Sequence, residues 1–397
     1  MGRVTLTGRG RRGIRDGHPW VYADAIATGE GQPGELLPVF DPNEQPMGWG
    51  LLSVGSKIAI RMVTRSAEQP NRAFWSERVR AAVQARAAHG LLEPDGACRL
   101  LHGDADGLPG MVIDRYADVL VVQSGTQGSD RMRDFLLELV EEELPFSVGA
   151  IYDRSNATVR RFESLEPRTE WVRGEPRESI EVVEPERDGS PRMVYEVSVV
   201  EGHKTGAYLD QSDNRRRAAR FAEGKDVLDA FSYDGLFGVR AALAGARSVL
   251  CLDQSEEAGE RLLRNAERNG VADRVRFEKT NAMHDLRRRS EAEESYGLVV
   301  VDPPAFARNK REIEGAARGY RELNRRGVSL VEPGGVLVSC SCSFNVRREA
   351  FLSLIGEAAF LEGRDPRLFS ATGASPDHPV LLTLPETDYL KCAFLRV

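Results

Sequence analysis

Two rhythms of apolar and polar positions divide the chain. Over residues 1 to about 67, short apolar runs are punctuated by Gly and Pro, as in "GQPGELLPVFDPNEQPMGWGLLSVGSKIAIRMV", the pattern of a small barrel-like β domain. A helix is predicted in "NRAFWSERVRAAVQARAAHG", where Phe74, Val79, Ala82 and Val83 recur at helical spacing and Gly90 is the stop. Strands follow in "GMVIDRYADVLVVQSG", with "YAD" as the turn, then a helix near "DRMRDFLLELVEEEL" and a strand at "GAIYDRS". Strands set around helices suggest an α+β module. From about Glu163 to Pro191 the residues are mostly Pro, Glu, Arg and Gly, and a connector is expected there. Beyond it strand, loop and helix repeat: "DVLDAF" then "GVRAALAGA", "SVLCLD" then "SEEAGERLLRNAERNG", "VRFEKT", "GLVVVDPPAF" then "KREIEGAARGYRELNRRGVSLV", and "GGVLVSCSCSF" with a helix to about Gly356. Apolar strands bounded by amphipathic helices predict βαβ units and a parallel sheet covered on both faces.

The length of 397 residues exceeds one ordinary core, so two or three domains are expected. With 41% hydrophobic and 29% charged residues the chain reads as soluble and globular. It has no apolar run of membrane-spanning length, and "MGRVTLTGRGRRG" lacks the apolar stretch of a signal peptide, so a cytoplasmic protein is expected. Cys98, Cys251, Cys340, Cys342 and Cys392 are odd in number and scattered, which suits a reducing compartment rather than a disulfide framework. Since no CxxC or nearby His pair accompanies them, no metal is expected. Residues 1 to 90 hold 12 Lys and Arg against 8 Asp and Glu, a surplus of +4; with −7 overall, the remainder carries −11. A basic first segment with Arg9, Arg11, Arg12 and Arg15 can meet phosphates, or it can be an ordinary solvated arm.

In a doubly wound sheet, ligands bind beyond the carboxyl ends of the strands, and chemistry-bearing residues gather there. The first strand runs into "DAFSYDGLFG", where Gly235 and Gly238 bracket the turn into a helix and let backbone approach a ligand. The second ends at Asp253, a carboxylate placed to accept hydrogen bonds from both hydroxyls of a ribose. The third ends in "KTNA", whose Asn281 offers its amide to an adenine edge. Loops favour Gly, Asp and Asn in any case, so it is their order on successive strand ends that points to a nucleoside cofactor. The fourth strand ends "VVVDPPAF": Asp302 precedes Pro303 and Pro304, which stiffen a lip against a flat ring, and Phe306 adds a stacking surface.

"DPPAF" resembles the fourth motif of class I S-adenosylmethionine methyltransferases that act on bases, and "DAFSYDGLFG" resembles their first. More specifically, the chain resembles the ribosomal RNA large subunit methyltransferase I family, whose members make 5-methylcytosine in 23S ribosomal RNA. The resemblance spans nearly the whole length, through "HPWVY", "RLLHGDADGLPGMVIDRY", "IYDRS", "EGHKTGAYLDQSDNR" and "DHPVLLTLPETDYLK". It implies a Rossmann-like α/β methyltransferase domain with a mainly parallel seven-stranded sheet, preceded by a small β-barrel PUA domain that binds RNA and by a central α+β domain. The expected boundaries are 1–67, 68–185 and 186–397. By the same resemblance S-adenosylmethionine is the cofactor, lined by Phe231, Ser232 and Gly235, with Asp253 on its ribose, Asn281 near its adenine and Asp302 facing both methyl donor and base. "HKTGAYLDQ" would pack over it, with Lys204, Tyr208 and Gln211 as contacts. The family usually has Gly where Leu236 stands, often an acid at Asn281, and commonly Lys at Ala305.

Carbon 5 of cytosine becomes nucleophilic once a thiolate adds to carbon 6, which is covalent catalysis. In RNA cytosine methyltransferases a Thr-Cys or Ser-Cys pair follows "GG" and an apolar strand; counted from Gly334 and Gly335, that register puts the pair at Ser341 and Cys342 and names Cys342 the nucleophile. Cys340 is expected to be an interior neighbour, although strand alternation alone puts both cysteines on one face. Where such enzymes carry a second cysteine beside the fourth motif's proline, this chain has Pro304 and Ala305, so another base, for which Asp302 is a candidate, or water must remove the carbon 5 proton. The expected partner is ribosomal RNA or a ribosomal assembly intermediate, recognised in part through Arg9, Arg11 and Arg12, with Pro303, Pro304 and Phe306 against the base. The oligomeric state is open, a homodimer being one option. The competing readings are an RNA guanine methyltransferase of the same architecture and a non-catalytic RNA-binding assembly factor.

Overall fold

The Gly- and Pro-punctuated runs near the N-terminus pair as strands. In the computed structural model, which describes residues 2–187, 189–306 and 312–397, they comprise β1 (Arg3–Leu6), β2 (Trp20–Tyr22), β3 (Ile26–Glu30), β4 (Leu36–Phe40), β5 (Pro46–Leu52) and β6 (Ile58–Thr64), with helix α1 (Gly8–Arg15) after β1. The six form one sheet in the order β2-β6-β5-β4-β1-β3, parallel only between β1 and β4. Register shifts in four of the antiparallel pairs bend it. Val4, Leu6, Ile14, Val21, Leu37, Val39 and Ile60 fill its interior.

The predicted helix is α2 (Arg72–Ala88), ending just before Gly90. Trp75 takes the buried place beside Val79, Ala82 and Val83, while Phe74 only packs at the margin. Next come β7 (Ala97–His102), β8 (Met111–Tyr116), β9 (Val119–Ser124), α3 (Gln127–Glu143), β10 (Ala150–Asp153), α4 (Val159–Phe162) and β11 (Glu170–Arg173). These strands form a second sheet, β11-β10-β9-β8-β7. "YAD" is the β8–β9 turn, with Ala117 at φ 52°. The region expected to be a connector holds edge strand β11 and, with β12 (Ile180–Glu184) and β13 (Met193–Val197), a two-stranded ribbon. Main-chain pairing builds these strands from Glu- and Arg-rich sequence whose side chains are partly solvated, which conceals them from an apolar pattern.

In the remaining sequence α5 (Ser212–Ala219) precedes β14 (Asp226–Ala230), α6 (Leu236–Leu243), β15 (Ser248–Asp253), α7 (Glu256–Arg268), β16 (Val275–Lys279), α8 (Ala282–Glu291), β17 (Tyr296–Val301), α9 (Ile313–Ser329), β18 (Val331–Ser341), α10 (Arg348–Leu361), β19 (Arg367–Thr372) and β20 (Lys391–Arg396). The sheet order is β16-β15-β14-β17-β18-β20-β19. The first five strands are parallel, and β20 runs antiparallel to both its neighbours. This is the mainly parallel, doubly wound seven-stranded sheet expected. Leu228, Val299, Val301, Leu323, Leu337 and Phe351 lie in its core. Each such fully buried side chain contributes about 1.5–3 kcal/mol.

The chain forms two compact units, one of Met1–Val182, Val197–Leu209 and Pro376–Thr387, the other of Val183–Glu196, Asp210–Ser375 and Asp388–Val397. Inside the first, Asp377 Oδ2 accepts from the Arg99 amide at 2.8 Å, and Asp377's carbonyl accepts from buried Arg86 at 2.8 Å. Asp114 holds Arg99 and Thr205 together. Inside the second, buried Glu184 bonds Arg215 at 2.7 Å and Arg240 as well, and these cations hold its carboxyl down to about 2 against the opposing effect of burial. Among the described residues no helix is long and apolar enough to cross a membrane.

Candidate active site

Strand β14 runs straight into the first loop, and that loop is bent in an uncommon way. Phe231, Tyr233 and Gly235 all have positive φ, 64°, 50° and 74°. For the two aromatic residues this costs about 1–2 kcal/mol each. The bend is paid in hydrogen bonds: Ser232 N donates to Leu252 O (3.0 Å), Gly235 N to Ser232 O (2.8 Å) and Tyr233 N to Asp253 Oδ2 (2.9 Å). Gly235 is also required by space, since a Cβ there would lie 2.2 Å from Leu262 Cγ of α7. Gly238, in α6, donates its amide to Asp229 Oδ2 at 2.9 Å. Leu236 is the buried first residue of α6. The Ser232 hydroxyl is buried and has no hydrogen-bond partner among the described residues.

Asp253 stands at the end of β15, and both its oxygens are engaged, Oδ2 with Tyr233 N and Oδ1 with Ser255 N at 2.9 Å. A carboxylate oxygen has a second lone pair, so each can still accept a hydroxyl. Ser255 in turn caps α7. Asn281 caps α8, its side chain accepting from His284 N at 3.2 Å; the exposed carboxamide keeps its NH2 for another partner. Burial pushes the Asp229 carboxyl up to about 8, with Asp302, Asp253 and Asp234 adding to it. Asp234 rises to about 6 by burial, opposed by Arg215 and Arg261. Asp229 is thus held neutral at pH 7, and Asp253 and Asp302 are the acids that stand at the ends of β15 and β17.

Asp302 follows β17, and its Oδ2 accepts from Gln211 Nε2 at 2.9 Å. Gln211 is buried and is itself oriented by Asn214, whose amide donates to Gln211 Oε1 at 2.6 Å. Pro303 is buried, Pro304 exposed, and Phe306 half-buried against Tyr320 with ring centroids 4.7 Å apart. Lys204 and Tyr208 belong to the first unit, where the Lys204 ammonium lies 4.3 Å from the Tyr208 ring. Arg9, Arg11 and Arg12 lie on α1 of that unit; Arg9 pairs with Asp24 (2.7 Å), Arg11 with Asp41 (3.6 Å), and Arg12 is exposed.

The two cysteines differ sharply. Cys340 is fully buried opposite its cross-strand partner Cys392, the sulfurs 3.0 Å apart. Burial, then Cys392 and Asp302, push its thiol well above the ordinary range, and a thiol held protonated is a poor nucleophile. Cys342 is half-exposed, just past the end of β18. Its neighbours are fixed: Ser341 Oγ donates to the Tyr320 hydroxyl (2.8 Å), which lies 2.8 Å from Ser343 Oγ, and Lys391 Nζ donates to Ser343 O (2.7 Å). Cys342 therefore sits, partly open, between two residues whose positions are fixed by hydrogen bonds. Sequence reasoning missed Tyr320, Asp229 and Lys391. Lys391 stood in the quoted "DYLK" without an assignment, and Asp229 stood inside an apolar strand, where a lone acid was the available signal.

Residues 4–65 match the PUA-like domain family, and residues 149–360 match the S-adenosylmethionine-dependent methyltransferase family. The chain is 35% identical to "Ribosomal RNA large subunit methyltransferase I" of Aeromonas hydrophila, over 96% of this chain and 95% of that one. It is 36% identical to the protein of the same name from Shewanella amazonensis, over 100% and 99%. Among solved structures, SMU.776, described as a methyltransferase complexed with SAH, superposes with a TM-score of 0.84 at 19% identity over the full length of both chains. A Streptococcus mutans protein described as SAM-dependent superposes with a TM-score of 0.82, also at 19% identity and full coverage. At that identity the likeness speaks for the fold.

Proposed function

Because the chain belongs to the ribosomal RNA large subunit methyltransferase I family, we propose that it methylates carbon 5 of a cytosine in ribosomal RNA, 23S by the family resemblance, through a bond between Cys342 and carbon 6. Its methyltransferase domain has the class I fold, and its cofactor is S-adenosylmethionine. The residues at the strand ends suit that cofactor: Ser232 offers an orphaned buried hydroxyl, and the carboxylates Asp253 and Asp302 would favour a sulfonium over the pyrophosphate of a dinucleotide. Phe231, Ser232 and Gly235 would line it, Asp253 would take the ribose hydroxyls and Asn281 the adenine edge. When bound, it supplies an electrophilic methyl group.

The observation that carries the cytosine reading is the Cys342 thiol, half-exposed on a turn held by Tyr320 and Lys391, beside a second cysteine that is sealed away. The sulfur lone pair forms the bond to carbon 6, and the ring's π pair moves to carbon 5, which becomes the methyl acceptor. Asp302, oriented by Gln211, is the candidate to take the proton that carbon 5 must then lose. Pro303, Pro304 and Phe306 form the lip against the base. Residues 1–67 would bind RNA, with Arg9, Arg11 and Arg12 contacting phosphates, and the second compact unit would carry the chemistry. The partner is ribosomal RNA or an assembly intermediate, met in the cytoplasm.

Two measurements test this. Nucleoside mass spectrometry of rRNA from a deletion strain should show one 5-methylcytosine lost; loss of a methylated guanine instead would favour the guanine reading. A 5-fluorocytosine RNA should be trapped as an adduct by the wild type and not by Cys342→Ala.

A further inference from the structure

Lys391 is an unusual lysine. It is the first residue of β20, pairs in register with Ser341, and is only 3% exposed. Its ammonium donates to Ser343 O at 2.7 Å and to Tyr389 O at 2.8 Å, both neutral carbonyls. An ammonium has three donors, and the third has no hydrogen-bond partner among the described residues. One of the two bonds grips the residue immediately after Cys342. A buried cation that spends its bonds on backbone carbonyls is costly unless a negative charge lies close.

We propose that Lys391 acts on the Cys342 sulfur, its ammonium stabilising the thiolate that attacks the base. This rests on the reading of Cys342 as nucleophile. The groups that face the pair come from every side: Tyr320 of α9, Arg348 of α10, and Asp388 just before β20, itself 3.7 Å from Arg348. Burial brings the Lys391 ammonium down to about 8, Arg348 adding to that and Cys342 and Asp388 opposing it. At neutral pH the lysine is therefore still mostly charged. The thiol gives its proton to water, Lys391 keeps its own throughout, and the charge that the ammonium faces disappears when sulfur bonds carbon 6. Cys340, which lacks such a cation and faces Cys392 and Asp302, stays protonated.

The test reads the sulfur and not the methyl transfer. The full-length protein is treated with iodoacetamide across pH 5–10, and alkylation of each cysteine is followed by peptide mass spectrometry, with buried Cys98, Cys251, Cys340 and Cys392 as internal controls. Wild-type Cys342 is expected to react with a midpoint below the free-thiol value of about 8.5. Lys391→Met should raise that midpoint by about one pH unit, slowing alkylation at pH 7 about tenfold, and Lys391→Arg should restore most of it. A wild-type midpoint at or above that of free cysteine overturns the proposal with no variant needed, which covers the case in which Lys391→Met does not fold. Equal losses in Lys391→Met and Lys391→Arg would likewise overturn it, leaving Lys391 as a clamp on Ser343 alone. Because alkylation needs no RNA, a deletion strain that keeps its 5-methylcytosine would sink the function proposed above and leave this result standing.

Discussion

Gly235→Ala adds one methyl group at the tightest point of the first loop. At φ 74° a side chain costs about 1–2 kcal/mol. The new Cβ would also sit 2.2 Å from Leu262 Cγ and 2.6 Å from its Cδ1, and Leu262 is fully buried. Overpacking of this kind costs about 1–3 kcal/mol. Together the loss is roughly 2–5 kcal/mol, a large share of the roughly 5–15 kcal/mol that holds a domain folded. Urea unfolding of the full chain measures it, and calorimetry with S-adenosylmethionine should show binding weakened as Ser232 is displaced with the loop. The mechanism is separable. Leu262→Ala alone should cost about 2–5 kcal/mol, but in the Gly235→Ala background the added methyl enters the vacated space, giving a favourable coupling of about 1–3 kcal/mol. The backbone term stays. Stability within about 0.5 kcal/mol of the wild type, or strictly additive effects in the double variant, would refute the packing argument.

Other outcomes follow from buried charge. Native Asp229 keeps its proton up to about 8, whereas an unfolded aspartate releases it near 3.9, so this group costs stability as pH rises between those values. Asp229→Asn keeps an acceptor for Gly238 N, and its urea midpoint should gain on the wild type between pH 5 and pH 9; a constant offset would contradict the assignment. Glu184, held at about 2, contributes stability above its unfolded value of about 4.3 that is lost as pH falls toward 2. Glu184→Gln should cost about 3–5 kcal/mol at pH 7 by stranding Arg215 and Arg240, with the deficit shrinking by pH 3, as read by denaturant titration at both pH values. Cys340→Ser should retain the 5-fluorocytosine adduct on denaturing gels, and an adduct lost there but kept in Cys342→Ser would reverse the roles of the two sulfurs.

The five parallel strands were legible because most are buried on both faces and therefore read as near-continuous apolar runs, as in Tyr296–Val301. Arg367–Thr372 was not, since an edge strand with mostly solvated side chains carries no such signal. The ribbon Ile180–Glu184 hid in Pro- and Glu-rich sequence, and α8 hid among arginines. Within the site, Asp253 and Asp302 could be placed because strand ends in a doubly wound sheet are where loops meet ligands. Asn281 was visible as a residue type, but its cap on α8 depends on a helix the pattern did not show. Lys391 could not be linked to Cys342 from sequence, because the antiparallel register of β18 and β20 joins parts of the chain separated by a whole helix and an edge strand.

The first unit is assembled from three separated stretches, and its third piece, Pro376–Thr387, is reached only after the chain has passed through Asp210–Ser375 of the second. Without Asp377 in place, the Arg99 amide and the Arg86 guanidinium lack a partner that the finished core supplies. The hydrogen bonding of the first unit is therefore complete only once Pro376–Thr387 has docked onto it. For the same reason neither half can be lifted out by a single cut in the gene, and transplanting one into another protein would mean re-routing the chain.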